Sequence, residues 1–339
     1  MMKEINMGLR GIAYVEPDEF ISSGQIERDL APIYDKLKLP YGRIEMQTGI
    51  KTRGIFHDKM PSDISILAGK ALFEESDISP EEIDLIIHAS VCRDFLEPST
   101  ASVIHHGLGL RADCLSFDLS NACLGVMSAI QVASDMIKAG TIKNALIVTG
   151  ENSKPLLTQT IKTILSDNTI TRKSIKKYFA NFTIGSSGVA ICLSHNDKKS
   201  YPEFKKSFNL SDTSAHTLCQ GGGSTESLVM ETDSEELMKR GVALAKRNWD
   251  FFKEKMTGVV DHIICHQVGI HHRDFMYKAL GLDIKLDHMS FDKYGNTGSA
   301  ALPLTLALAA KSDDIKKGQR VCLLGIGSGL HTQMTELIW

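Results

Sequence analysis

The chain has 339 residues, 42% of them hydrophobic and 23% charged, with a net charge of −3. This balance excludes a strongly basic nucleic-acid surface, and no apolar run reaches membrane-spanning length. At this size two domains or two fused halves are expected.

Met1–Asn6 lacks the apolar stretch of a secretion signal. The seven cysteines form no CxxC pair, so a reduced thiol set and a cytoplasmic location are expected. In chain order, Met7 to Val15 reads as a strand, Ser22 to Leu37 as a weakly helical stretch, and Ser62 to Glu75 as a helix. Asp84 to Ala89 is a strand, Pro98 to Leu108 a helix, and Cys114 to Leu119 a short apolar strand. Ser120 to Ala122 then makes a sharp turn before a helix from Leu124 to about Lys138. Strands follow at Asn144 to Thr149 and Val189 to Leu193, with a basic helical stretch, Thr158 to Tyr178, between them. Lys198 to Phe208 reads as a lysine-rich connector and Gly221-Gly222-Gly223 as a flexible loop. The chain closes with helices over Glu235–Lys255, His271–Leu280 and Ser299–Lys311, and strands over His262–Cys265, Val321–Gly325 and Gln333–Trp339.

Two stretches recur. Asp84-Leu85-Ile86-Ile87-His88-Ala89 resembles Asp261-His262-Ile263-Ile264-Cys265-His266 at an offset of 177 positions, and Ile137-Lys138-Ala139-Gly140 resembles Ile315-Lys316-Lys317-Gly318 at an offset of 178. The pattern predicts an α/β chain of two duplicated halves, 1–196 and 197–339, each a mostly parallel sheet covered by helices. Loops at the strand C-terminal ends then face a shared crevice.

Cys123 sits where a strand ends and a helix begins. Helix N-terminal N–H groups favour a thiolate or an oxyanion there, whereas the competing reading is a small buried core cysteine. His266, at the end of its strand, faces the same expected crevice. Asn296 in Tyr294-Gly295-Asn296-Thr297 can donate to a developing oxyanion or simply cap a helix. Gly325-Ile326-Gly327-Ser328-Gly329-Leu330 lacks the helix of a dinucleotide fingerprint and instead suits backbone N–H groups aimed into a site. A metal site is disfavoured, because on one strand His262 and His266 stand about 13 Å apart. A cysteine protease does not fit a duplicated α/β chain with its histidine at a strand end.

Together, Asn121-Ala122-Cys123-Leu124-Gly125, His266-Gln267-Val268-Gly269, Tyr294-Gly295-Asn296-Thr297 and the Gly325–Leu330 loop resemble the thiolase superfamily in its ketoacyl-synthase III branch. The resemblance implies a five-layered αβαβα fold, a homodimer, and a Claisen condensation through an acyl-cysteine. It further implies Cys123 as nucleophile, His266 and Asn296 as donors to the enolate, and the N–H groups of Cys123 and Gly329 as an oxyanion hole. Housekeeping members carry a Trp before the Thr48-Gly49-Ile50 segment and an Arg five residues after the histidine. Here Tyr41–Gln47 holds no Trp, and His271 stands at the second position.

Ser90-Val91-Cys92-Arg93-Asp94-Phe95-Leu96-Glu97-Pro98-Ser99 is more similar to the OleA-type enzymes, which join two fatty acyl-CoA molecules head to head into a β-keto acid. That resemblance implies Glu97 as the α-proton base, reaching into the partner subunit, and Ser328 as a support for His266. Without it, Glu97 reads as an acid at a helix start. Coenzyme A thioesters are then substrates, with no separate cofactor. An acyl carrier protein or a downstream pathway enzyme is a further candidate partner. The alternatives are a decarboxylative synthase using a malonyl thioester and a catalytically silent acyl-binding subunit.

Overall fold

The computed structural model describes residues 6–196, 198–222 and 228–339. The first half begins with β1 (Met7–Val15), β2 (Glu19–Ser22), α1 (Ser23–Asp29), α2 (Ala31–Leu37), α3 (Arg43–Thr48), β3 (Thr52–Ile55) and α4 (Pro61–Glu75). It continues with β4 (Leu85–His88), α5 (Thr100–Gly107), β5 (Leu115–Asp118), α6 (Gly125–Lys138), β6 (Asn144–Glu151), α7 (Lys154–Ser166) and β7 (Ser187–His195). The second half starts with β8 (Glu203–Ser211), β9 (Cys219–Gly222), β10 (Val229–Thr232), α8 (Ser234–Lys255) and β11 (His262–Cys265). Then come α9 (Ile270–Leu280), α10 (Phe291–Tyr294), α11 (Ala301–Lys311), β12 (Arg320–Gly327) and β13 (His331–Ile338).

Nine strands follow the order β11-β12-β13-β8-β1-β7-β6-β4-β5. Because β1 and β8 meet through one residue pair, Gly8 with Glu203, the ladder is two sheets joined at a seam. The halves repeat one another. In the first, β4 pairs in parallel with β6 from Leu85–Ala145 onward, and in the second β11 pairs with β12 from His262–Val321 onward. The parallel β4–β5 pair has a remnant counterpart in the isolated parallel bridge between Ile263 and Asp287.

Side-chain alternation sorts the strands into layers. Leu85, Ile87, Val189, Ile191, Val321 and Leu323 face a central core that they share with Val126, Met127 and Ile130 of α6 and Leu302, Leu304 and Leu306 of α11. Ile86, Ala190 and Cys192 face outward onto α4 and α5, through Ala68, Leu72 and Ile104. Cys322 and Leu324 face α8 and α9, through Val242, Trp249 and Met276. The order is helix, sheet, helix, sheet, helix. Buried on nearly every side, α11 can be apolar all round.

Three expectations change. The sheets are mixed rather than mostly parallel: β6–β7, β1–β7, β12–β13 and β8–β13 are antiparallel, the third because Ser328–Leu330 is too short for a crossover. The Lys198–Phe208 stretch is not a connector, since β8 begins at Glu203 and Phe204 is buried. Its lysines hide the period-two spacing of Phe208 and Leu210, and a register shift puts Phe204 on the opposite face. Gly221 and Gly222 belong to β9, which pairs with β10, while Gly223 lies outside the described residues.

Candidate active site

The chemistry-bearing residues stand at strand ends that point one way. Cys123 follows β5, Glu151 ends β6, His266 follows β11 and Ser328 follows β12. All four, with Asn296, line one cavity of about 2100 Å³.

Cys123 sits in the turn between β5 and α6, and the preceding Ala122 takes a left-handed backbone with φ of +46°. A residue with a Cβ is strained there, so neighbours must hold the turn. They do so from the other half: Ser299 Oγ donates to the Ala122 carbonyl at 2.6 Å. The glycine loop contributes by packing. A Cβ on Gly325 would stand 2.5 Å from Leu124, and one on Gly327 3.1 Å from it. Those two glycines therefore make room for the residue after the nucleophile, a reason separate from any aimed N–H groups.

The thiolate expectation is reversed by the surroundings of Cys123. Burial, then the Glu151 carboxylate, then Cys219, push the Cys123 thiol up to about 12. Desolvation and a neighbouring negative charge outweigh the helix N-terminus. His266, 5% exposed, is driven the other way: burial and His272 lower it to about 3, so its imidazole is neutral. Among the described residues His266 Nδ1 has no hydrogen-bond partner, so the expected support from Ser328 is not made at that atom.

Asn296 is fixed by its backbone. Its N–H donates to the Thr183 carbonyl at 2.8 Å, and its carbonyl accepts from Gly185 N–H at 2.9 Å. Its Oδ1 accepts from Gly298 N–H at 3.1 Å, which leaves the side-chain amide as the donor end. The close approach requires glycine at 185, because a Cβ there would stand 1.8 Å from the Tyr294 carbonyl oxygen. Gly185→Ala is expected to cost about 1–3 kcal/mol or more and to shift the Asn296 loop. Thermal denaturation checks the stability loss, and an unchanged midpoint would contradict this packing.

Gly329, with φ of +129°, lies in the β12–β13 turn between the cavity-lining residues Ser328 and Leu330. Glu97 does not line the cavity of its own chain. Its neighbours Phe95 and Leu96, the latter 90% exposed, do line that cavity, on an arm spanning residues 91–99. The arm is anchored at both roots. Glu151 accepts from Val91 N–H at 2.9 Å and Cys92 N–H at 3.1 Å, while Asp118 accepts from Thr100 N–H at 2.8 Å and Ala101 N–H at 2.7 Å. Burial opposes the Asp118 charge, but His88 and those amides hold its carboxyl below the usual range.

Glu151, Cys219 and His272 are cavity residues that sequence reasoning missed. The signal for Glu151 was its place at the end of an apolar strand, the criterion already applied to His266. Burial lowers His272 to about 4, whereas His271 is exposed and its Nδ1 pairs with the Gln47 carbonyl at 2.5 Å.

Residues 44–189 match the family model "Thiolase, N-terminal domain", and residues 255–339 match "3-Oxoacyl-[acyl-carrier-protein (ACP)] synthase III C terminal". An acyl-CoA:acyl-CoA alkyltransferase of Shewanella oneidensis is 33% identical, with 100% of both chains covered. Another from Xanthomonas campestris is 31% identical over 98% of this chain and 99% of the relative. The chain belongs to the OleA family of thiolase-fold acyltransferases. In agreement, the crystal structure of a Xanthomonas campestris OleA variant with bound lauric acid and lauroyl-CoA superposes with a TM-score of 0.94. It is 30% identical, and the match covers 99% of this chain and 100% of that one. As an OleA-family chain it draws its cysteine and histidine from strand-end loops of the two halves and its asparagine from the loop after α10. Among the described residues, no helix is long and apolar enough to cross a membrane.

Proposed function

We propose that this protein joins two fatty acyl-CoA molecules head to head into a β-keto acid. The full-length likeness to two acyl-CoA:acyl-CoA alkyltransferases carries the reading. The cavity supports it, because about 2100 Å³ exceeds the roughly 300–1,000 Å³ of an ordinary small-ligand site and leaves room for two acyl chains.

In the first half-reaction Cys123 Sγ attacks the thioester carbonyl. The bond from that carbon to the coenzyme A sulfur breaks, and coenzyme A leaves as its thiol with the proton given up by Cys123. In the second, Glu97 of the partner subunit takes an α-proton from a second acyl-CoA. The enolate oxygen is held by the neutral His266 imidazole and the Asn296 amide, with the Cys123 and Gly329 N–H groups serving the acyl carbonyl. The α-carbon attacks the acyl-cysteine carbonyl, the bond to Sγ breaks, and Cys123 recovers its proton from Glu97. Water then hydrolyses the remaining thioester, releasing coenzyme A and the β-keto acid. A neutral His266 suits this role, since it donates a hydrogen bond without protonating the enolate.

The enzyme works as a homodimer in the cytoplasm, a location that suits its seven free cysteines. Its test is product analysis with one long-chain acyl-CoA and no malonyl donor. A β-keto acid or its ketone is expected. Product formed only when a malonyl thioester is added would replace this reading with decarboxylative condensation.

A further inference from the structure

We infer that Glu151 is a positioning residue that locks the root of the Glu97 arm to the loop carrying Asn296. The inference rests on the proposed condensation and assigns a buried carboxylate that the reaction itself does not use.

Glu151 is only 4% exposed, yet no lysine or arginine pairs with it among the described hydrogen bonds and ion pairs. Its partners are backbone N–H groups. Oε1 accepts from Val91 N–H at 2.9 Å and from Ser299 N–H at 3.1 Å, while Oε2 accepts from Cys92 N–H at 3.1 Å. Val91 and Cys92 open the arm whose tip is Glu97. Ser299 lies three residues past Asn296 and, through its hydroxyl, also holds the Ala122 carbonyl beside Cys123. One carboxylate thus sits at the meeting point of the base, the enolate donor and the nucleophile.

The geometry separates this role from general-base chemistry. Both oxygens of the carboxylate are already taken up by backbone N–H groups, from the arm root and from the Ser299 loop, which is a holding contact. The contact is also too close for a larger neighbour, since a Cβ on Gly298 would stand 3.0 Å from Oε1. In addition, the Glu151 charge faces the Cys123 thiol and opposes its ionisation. The same side chain therefore leaves two separable signatures, one of reach and one of charge.

Two variants separate them. Glu151→Asp keeps the charge but shortens the side chain by one methylene. Glu151→Gln keeps the length, removes the charge and turns an amide donor toward one of the backbone N–H groups. Three measurements are made on the full-length protein: acyl-adduct formation by mass, condensation turnover with a long-chain acyl-CoA, and iodoacetamide alkylation of Cys123 against pH. Glu151→Asp is expected to form adduct within about three-fold of the wild type while its turnover falls about ten-fold or more, with an unmoved alkylation profile. Glu151→Gln is expected to lose turnover similarly and to alkylate roughly three-fold faster or more at a given pH, as thiolate forms more readily.

Full turnover in Glu151→Asp overturns the inference, as does a proportional fall of adduct and turnover in both variants. An unmoved alkylation profile in Glu151→Gln removes the charge component. If Glu151→Gln does not fold, Glu151→Asp alone decides the positioning role. A wild type that makes no β-keto acid fails the condensation reading itself, whereas a productive wild type beside a fully active Glu151→Asp fails only the role of Glu151.

Discussion

Cys123→Ala is expected to give no acyl adduct and no condensation product. Incubated with a long-chain acyl-CoA, the wild-type protein gains the mass of one acyl group less the lost proton, and the variant keeps its apo mass. The cavity holds other thiols, Cys92 and Cys219, so the mass experiment also decides which sulfur reacts. Cys92 is disfavoured by position: it is half-buried, and desolvation and the nearby Glu151 push its thiol well above the ordinary range. An adduct of unchanged mass in Cys123→Ala would move the chemistry to one of those neighbours. Loss of a covalent nucleophile lowers turnover by many orders of magnitude, so background chemistry cannot imitate the wild type. The proton balance gives a second check. With the thiol at about 12, thiolate is scarce at neutral pH, and the iodoacetamide rate should rise about ten-fold per pH unit through the alkaline range. A plateau near pH 7 would mean that the helix N-terminus prevails over burial and Glu151.

Much of this architecture was legible because apolar strands and turn residues obey local rules. Met7–Val15 and His262–Cys265 are strands with the bounds their sequences suggest. The first ends at the exposed Glu16 and the second at the polar pair His266-Gln267, which is buried. Cys123, His266 and Asn296 were legible for a related reason, as reactive residue types set among small residues where strands or helices begin or end. What stayed hidden depends on partners distant in sequence. Glu151 looks like the polar end of a strand until the fold brings N–H groups from 60 and 148 positions away onto its oxygens. The strand β8 was obscured by its lysines, an edge-like composition that suits a strand paired along its length with β13 and meeting β1 only at Gly8. The thiol's ionisation was misjudged for the same reason. Helix N-terminal charge can be read locally, but desolvation by burial and the field of Glu151 arise only after folding.

Glu97→Ala is expected to load acyl groups on Cys123 and then fail to condense them, with turnover down by about 10²–10⁴-fold. The prediction rests on the arm's geometry. Glu97 is exposed and does not line its own cavity, while both roots of its arm are held by carboxylates, Asp118 and the buried Glu151. The arm is fixed at both roots, and Phe95 and Leu96 beside Glu97 are exposed apolar side chains suited to cover by another molecule. Mixed dimers decide the matter. Co-expression of Cys123→Ala with Glu97→Ala makes heterodimers in which one site combines an intact Cys123 with an intact Glu97 from the other subunit. With random pairing, about a quarter of wild-type turnover returns if the carboxylate acts across the interface. If it acts within its own chain, every site lacks one of the two groups and turnover stays at background. Full turnover by Glu97→Ala alone would instead remove the glutamate from the reaction and return the α-proton to a decarboxylative route.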